Sequence, residues 1–227
     1  ESTHIPSEVI ICLPKKNLLN IKKIISSFKK IKIKILMSKK KNQVFQRILG
    51  FKKAKYKIIM QLDDDVLIEK DCLFNMYKFI NNKNNIAVSP KYIDIERVSS
   101  FYRKPKSLIL KIYHWLINSK KGYAPGTVAL CGYNYGDEIS YKKFKFHEWL
   151  SGGAIMHHKK NLILKNFYPF KFKRSVCEDI LHSFILRKNK VKLVKLYHAK
   201  VCAKESTRIT TEKSFILVLN NFFDEFL

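Results

Sequence analysis

Three short β-rich runs, Val9-Ile10-Ile11-Cys12-Leu13, Ile31-Lys32-Ile33-Lys34-Ile35-Leu36-Met37 and Ile58-Ile59-Met60-Gln61-Leu62, alternate with two stretches, Leu18 to Phe28 and Asn42 to Ala54, that carry apolar residues at helical spacing. Each run has strand length and a β-favouring composition. Strands that alternate with helices specify βαβ units, and so predict an α/β fold with a mostly parallel central sheet flanked by helices. A fourth unit follows, with a helix from about Cys72 to Ile80 and a strand at Ile86 to Ser89. From Pro90 to Phe146 the pattern is irregular, rich in tyrosine and broken by Gly122, Pro125, Gly126, Gly132 and Gly136, with one amphipathic helix at roughly Lys106 to Asn118. Regularity returns with a strand at Gly153-Ala154-Ile155-Met156, a helix opening at Glu178-Asp179 and a strand at Val191 to Val194. Thr211 to Phe226 reads as a C-terminal helix.

Composition narrows the classes of function. With 227 residues, 46% hydrophobic, and only 7 glycines and 6 prolines, the chain can bury a substantial core and is neither disordered nor fibrous. Lysine and arginine total 45 against 18 acidic residues, a net charge of +27, which points to an anionic partner or surface. Arginine occupies only positions 47, 97, 103, 174, 187 and 208, whereas nucleic-acid readers lean on arginine for bidentate contacts. A lysine, asparagine and isoleucine bias of this kind also follows from an AT-rich genome. The five cysteines, at 12, 72, 131, 177 and 202, are odd in number and form no CxxC pair, so neither a disulfide framework nor a clustered zinc site is suggested, and a reducing cytoplasm fits. The longest apolar stretches stop well short of the ~18 to 20 residues of a membrane span. The first residues lack the basic start and apolar run of a signal peptide.

The strongest chemical signal is Gln61-Leu62-Asp63-Asp64-Asp65-Val66, three consecutive carboxylates where an apolar strand ends. Ligands of open α/β sheets bind outside the carboxyl ends of the strands. Asp63 and Asp65, alternating around Asp64, can face one side and share a hard divalent cation with substrate phosphates. The plainer reading is a solvated acidic turn. Upstream, Gln43, Gln46, Arg47 and Gly50 fall at relative positions 0, 3, 4 and 7 of a helix and make one stripe, either a solvent face or a face that meets a ligand or another backbone. In the second half, Trp149-Leu150-Ser151-Gly152-Gly153 precedes a strand, and Cys177-Glu178-Asp179 opens a helix. Asp179 lies in the first helical turn, where it is either a capping charge or a general base.

Taken together, Gln46-Arg47-Ile48-Leu49-Gly50-Phe51, Gln61-Leu62-Asp63-Asp64-Asp65, Trp149-Leu150-Ser151-Gly152-Gly153 and Glu178-Asp179 resemble, in order and spacing over roughly residues 8 to 200, the family 2 glycosyltransferases of the Rossmann-like GT-A fold. The resemblance implies an inverting transferase that moves a sugar from a nucleotide-diphosphate donor to an acceptor hydroxyl, with Mn²⁺ or Mg²⁺ at a DXD motif. It implies metal and diphosphate binding by Asp63 and Asp65, with Asp64 the variable middle residue. It implies a catalytic base at Asp179 with Glu178 beside it, and a turn of Ser151, Gly152 and Gly153 after Trp149 that borders donor sugar and acceptor. Gln46 and Arg47 lie on the donor-side helix, and Pro14 lies where the family's first strand meets the nucleotide. His198 stands where some members add a metal contact, although a lone histidine is more often structural. Leu13-Pro14-Lys15-Lys16-Asn17 and Leu36-Met37-Ser38-Lys39-Lys40-Lys41 depart from the family's nucleotide-reading segments, and Ile48 replaces an asparagine often found after the helix arginine.

The domain layout expected is a GT-A domain over residues 1–200, with a donor half at about 1–90 and an acceptor half at about 91–200, followed by a helical extension at 201–227. The expected setting is bacterial polysaccharide or glycolipid assembly on a glycan or lipid-linked glycan acceptor, in the cytoplasm and peripherally at an anionic membrane surface. The apolar residues of the C-terminal helix would meet membrane, partner or core. Two rivals differ in chemistry. A lysine-rich nucleic-acid-binding protein leaves the acidic triplet unexplained, and no nucleic acid is expected as partner. A nucleotidyltransferase on a related fold would want a glycine-rich phosphate loop after the first strand, which Pro14-Lys15-Lys16-Asn17 does not offer.

Overall fold

The computed structural model describes residues 2–14, 21, 25–93, 104–136, 142–169, 175 and 177–203. Most of the helix expected at Leu18 to Phe28 and all of the one at Thr211 to Phe226 lie outside these residues. β1 (Val9–Pro14) and β2 (Ile33–Ser38) pair in parallel, from Val9 opposite Ile33 to Pro14 opposite Ser38, as a βαβ chain requires. α1 (Gln43–Lys53) follows. Asn42 caps it by accepting from the Phe45 N–H at 3.0 Å, and Lys52 and Lys53 complement the dipole in its last turn. Its Val44, Ile48 and Phe51 are buried, with Val44 and Ile48 packed with Tyr168.

β3 (Ile58–Leu62) leads through the acidic triplet into β4 (Val66–Ile68). α2 (Cys72–Ile80) then buries Cys72, Met76 and Ile80, a four-residue spacing that lays one stripe on the main core. β5 (Ile86–Tyr92) is buried along almost its whole length, as a central strand covered on both faces must be. α3 (Leu108–Asn118) stands in the irregular middle region. The chain returns through β6 (Phe144–His147), β7 (Ala154–His158), α4 (Glu178–Lys188) and the long β8 (Lys192–Ala203).

The larger sheet runs β3-β7-β5-β8-β4, with β6 also on β8. It is mixed rather than mostly parallel, which corrects the expectation. Only β5 and β8 pair in parallel there; β7 is antiparallel to both β3 and β5, and β4 and β6 are antiparallel to β8. The cause is β7, which enters the sheet from the Trp149 to Gly153 turn and runs back between two strands of the first half. β4 and β6 are too short to announce themselves by pattern. Beyond Leu196 the register of β5 and β8 slips at Pro90/Lys91, where a proline without an N–H suits a bulge. β8 continues to Ala203, past the expected boundary at 200.

Candidate active site

Side chains alternate along β3, so Gln61 and Asp63 share a side. Gln61 is buried, and its amide donates to the Gly152 carbonyl, while the Asp63 N–H donates to the Gly153 carbonyl at 2.9 Å. These two bonds clamp the Ser151-Gly152-Gly153 turn against the acidic triplet. From the other side comes the stripe of α1. Gln43 Nε2 donates to Asp63 Oδ2 at 3.0 Å, and Arg47 Nη2 donates to Asp63 Oδ1 and Oδ2 at 2.8 and 3.1 Å. Gln46 Nε2 donates to the Cys12 carbonyl at 3.1 Å, and a Cβ on Gly50 would sit 3.2 Å from Cys12 Sγ. The stripe therefore meets β1 and the triplet, not solvent.

The remaining nitrogen of the fork, Arg47 Nη1, pairs with Glu178 Oε1. The three side chains are 13%, 25% and 8% exposed for Arg47, Asp63 and Glu178, so the ion pairs are largely out of water. α4 reaches this place by a left-handed N-cap, Cys177 at φ 58°, and by the Leu150 N–H, which donates to Ser183 Oγ at 3.0 Å. Burial pushes the Glu178 carboxyl up and Arg47 pulls it back. Burial also raises Asp179, opposed by N–H groups of Ile180, of Asp179 itself and of Gly152. For Arg47 burial works against the charge, but Glu178 and Asp63 outweigh it and raise its pKa. A carboxyl that burial raises against the pull of a nearby cation is a candidate proton acceptor.

The two glycines are there for space. A Cβ on Gly152 would collide with Glu178 Oε1 and stand 3.1 Å from Arg47 Nη1. A Cβ on Gly153 would lie 2.5 Å from the Tyr92 hydroxyl and 3.6 Å from Asp63 Oδ2. Tyr92 ends β5. Its hydroxyl is buried without a hydrogen-bond partner of good geometry, Ser151 being its polar neighbour, and burial drives its pKa up. The Lys195 ammonium stands 5.2 Å from the centre of the Tyr92 ring.

Of the sequence-predicted residues, Asp63, Arg47, Glu178, Asp179, Ser151, Gly152 and Gly153 come together. Trp149 is half-buried and donates from Nε1 to the Tyr135 carbonyl at 2.9 Å, which anchors the turn to the middle region. Asp64 is exposed, and Pro14 closes β1, the strand that receives Gln46. His198 is not brought to the triplet. His198 sits in the bulge of β8, between Leu196 opposite Pro90 and Lys200 opposite Lys91, and among the described residues it forms no metal-holding group with Asp63 and Asp65. There its carbonyl accepts from Asn75 Nδ2 at 3.3 Å.

Among the described residues no group of three His, Cys, Asp or Glu side chains is set to hold a metal. Asp65 is half-buried and makes no hydrogen bond or ion pair to a described residue, whereas both Asp63 oxygens are taken by Arg47 and Gln43. One free carboxylate beside a paired one fits an ion such as Mg²⁺ or Mn²⁺, which takes one or two protein carboxylates and fills its shell with phosphate and water.

Sequence reasoning missed Tyr92 and the pair His157 and His182. His157 on β7 is fully buried with neither ring nitrogen hydrogen-bonded, and its ring centre lies 5.4 Å from that of His182 on α4. Burial keeps both neutral, with His182 lowered to about 4. Only the β7 to α4 packing unites them. Gln61 could have been found, since it precedes the triplet by two on the same strand face.

A family model for glycosyl transferase family 2 matches residues 16–150. No curated protein matches the chain. Among solved structures the chain is similar to the crystal structure of GalNAc-T7 with UDP, GalNAc and Mn²⁺, with a TM-score of 0.60 over 87% of this chain and 12% identity. The match spans 37% of that longer protein, so the likeness concerns the GT-A fold alone. With more than half of its length matched by the family model, and the acidic triplet, the glycine turn and the α4 carboxylates gathered around Arg47, the chain belongs to glycosyl transferase family 2.

Proposed function

We propose that this chain is an inverting, metal-dependent glycosyltransferase that moves a sugar from a nucleotide-diphosphate donor to a hydroxyl of a glycan or lipid-linked glycan, in bacterial surface-polysaccharide or glycolipid assembly at the cytoplasmic side of a membrane. The observation that supports it best is Arg47, which ties the triplet to the start of α4 across the Gly152-Gly153 turn. A single displacement at an anomeric carbon needs a base on one face and a neutralised leaving group on the other. Asp179 is the base in this reading. Its raised pKa favours proton uptake from the acceptor hydroxyl as the bond to the anomeric carbon forms, and the Gly152 N–H steadies it. Glu178 stays anchored on Arg47 and positions Asp179 and the turn. Asp63 and Asp64 face the donor, with Asp63 oriented by Gln43 and Arg47. Asp65, with Asp63 beside it, would hold Mn²⁺ or Mg²⁺, which when bound neutralises charge on the diphosphate leaving group. Gly152 and Gly153 let Glu178, Arg47 and the Tyr92 hydroxyl close on the turn, which sets the wall against which the sugar would lie.

The test is a panel of UDP-, GDP- and CDP-linked sugars scored by thermal stabilisation with and without Mn²⁺, because a ligand that binds only the folded state raises its apparent stability. At least one donor is expected to give a metal-dependent shift that Asp65→Ala abolishes. A panel without any shift overturns the donor assignment.

A further inference from the structure

Helix α3 is folded inside out. Its inner positions include His114 and Asn118, only 1% and 2% exposed, bonded to the Tyr135 hydroxyl at 3.0 Å and the Gly122 carbonyl at 2.7 Å. Its outer positions are Leu108, Ile109, Ile112, Tyr113, Trp115 and Leu116, between 41% and 78% exposed. An amphipathic helix on a water-soluble surface normally does the reverse. A contiguous apolar face of this size marks an interaction surface rather than scattered exposure.

The segment itself is lysine-rich: residues 104–136 contain five lysines and no aspartate or glutamate, although Asp137 and Glu138 follow and Glu148 pairs with Lys121 at 3.4 Å. An open groove of about 320 Å³ runs beside the helix, lined by Lys104, Pro105, Lys111, Trp115, Gly122 and Tyr123, so two lysines and two aromatic residues border one space. With 11 residues α3 is far too short to span a bilayer, and no described helix is long and apolar enough to do so. Apolar side chains on one face, tryptophan and tyrosine among them, and lysines at the margin are what a helix lying in the headgroup boundary carries.

We propose that α3 is an interfacial helix that docks the protein on an anionic phospholipid bilayer, its outer face entering the headgroup boundary and Lys104 and Lys111 receiving a lipid phosphate in the adjoining groove. An acidic bilayer complements the lysines of this segment, and an apolar layer supplies the cover that the described residues do not give the outer face. The proposal rests on the transferase reading only for its purpose, bringing the site to a membrane-borne acceptor.

The full chain is floated with vesicles of phosphatidylcholine alone or with a quarter phosphatidylglycerol, at low and high salt. Wild type is expected to float with the anionic vesicles and to be released by salt. Ile109→Ser/Ile112→Ser/Leu116→Ser, all at exposed positions, should lower the bound fraction about tenfold or more through lost apolar burial, with an unchanged melting temperature and unchanged nucleotide-sugar binding. Lys104→Gln/Lys111→Gln should weaken binding to anionic vesicles and flatten the salt dependence. Brominated lipid should quench wild-type tryptophan fluorescence but not that of Trp115→Phe. The proposal is overturned if wild type stays in solution, if the serine variant floats as wild type does, or if α3 proves to hold two copies together in a dimer that the serine variant splits. Failure of the transferase reading would appear separately, as no donor binding with flotation intact.

Discussion

Arg47 holds Asp63 in a forked contact, Nη2 lying 2.8 Å from Oδ1 and 3.1 Å from Oδ2, and so fixes the acidic triplet to helix α1. Its other nitrogen does the same for Glu178, so one guanidinium sets the distance between the acidic triplet and the start of α4. A planar fork can do this; a lysine ammonium, a single point of charge, cannot.

Arg47→Ala should therefore destabilise the fold by about 3 kcal/mol, because Glu178 is left buried without its cation. Arg47→Lys should recover part of the stability and little of the activity. Thermal melts and donor turnover together check this. A melting temperature unmoved by Arg47→Ala would mean the pairs do not hold the site.

Gly153→Ala sets a Cβ against the Tyr92 hydroxyl and should cost about 1 to 3 kcal/mol, in line with other overpacked sites. Tyr92→Phe alone should be close to neutral, since the buried hydroxyl lacks a well-formed hydrogen bond. Combined, the two should be non-additive, with phenylalanine relieving part of the clash. Strictly additive melts would show that the two residues do not meet.

Asp179→Asn keeps the shape and one acceptor oxygen but cannot take up a proton. It should retain donor-dependent stabilisation and lose transfer by about 10²- to 10⁴-fold, the usual worth of a general base. Turnover at the parental rate would remove Asp179 from that role.

Stability should fall as pH drops from about 6.5 to about 4. Burial lowers the folded pKa of His182 from its ordinary value of 6.5 to about 4, so across that window the unfolded chain binds more protons. The contribution is complete above the unfolded pKa and lost on the way down to the folded one. His157, also lowered by burial, acts in the same sense. Glu178 and Asp179, raised by burial, act in the opposite sense, because a carboxyl protonated more readily when folded favours the folded state as pH falls. Melting temperatures across this range, compared with those of His157→Phe/His182→Phe, should show a flatter curve in the variant.

How much of this was readable beforehand depends on the range of the interaction. The strands at Val9, Ile33, Ile58 and Ile86 and the helices at Gln43 and Cys72 follow from local periodicity, and they are present. The stripe of Gln43, Gln46, Arg47 and Gly50 was visible as a stripe, but whether it met solvent or the triplet depended on where β1 and β3 lie beneath it. The mostly parallel sheet failed as an expectation because strand direction is not a local property: β7 pairs with β3 and β5 only after the long middle region has turned the chain around.

The amino-acid order alone settled the α/β class and the residue types available for sugar transfer, since hydrophobic period and clustered carboxylates are written over a few neighbouring positions. Which carboxylate is free and which is tied was decided in three dimensions. Asp63 meets Arg47 and Gln43 while Asp65 makes no hydrogen bond or ion pair to a described residue, and His198 is held in the bulge of β8. The outward apolar face of α3 belongs there too, because a helical wheel shows that a face exists but only packing shows which way it turns.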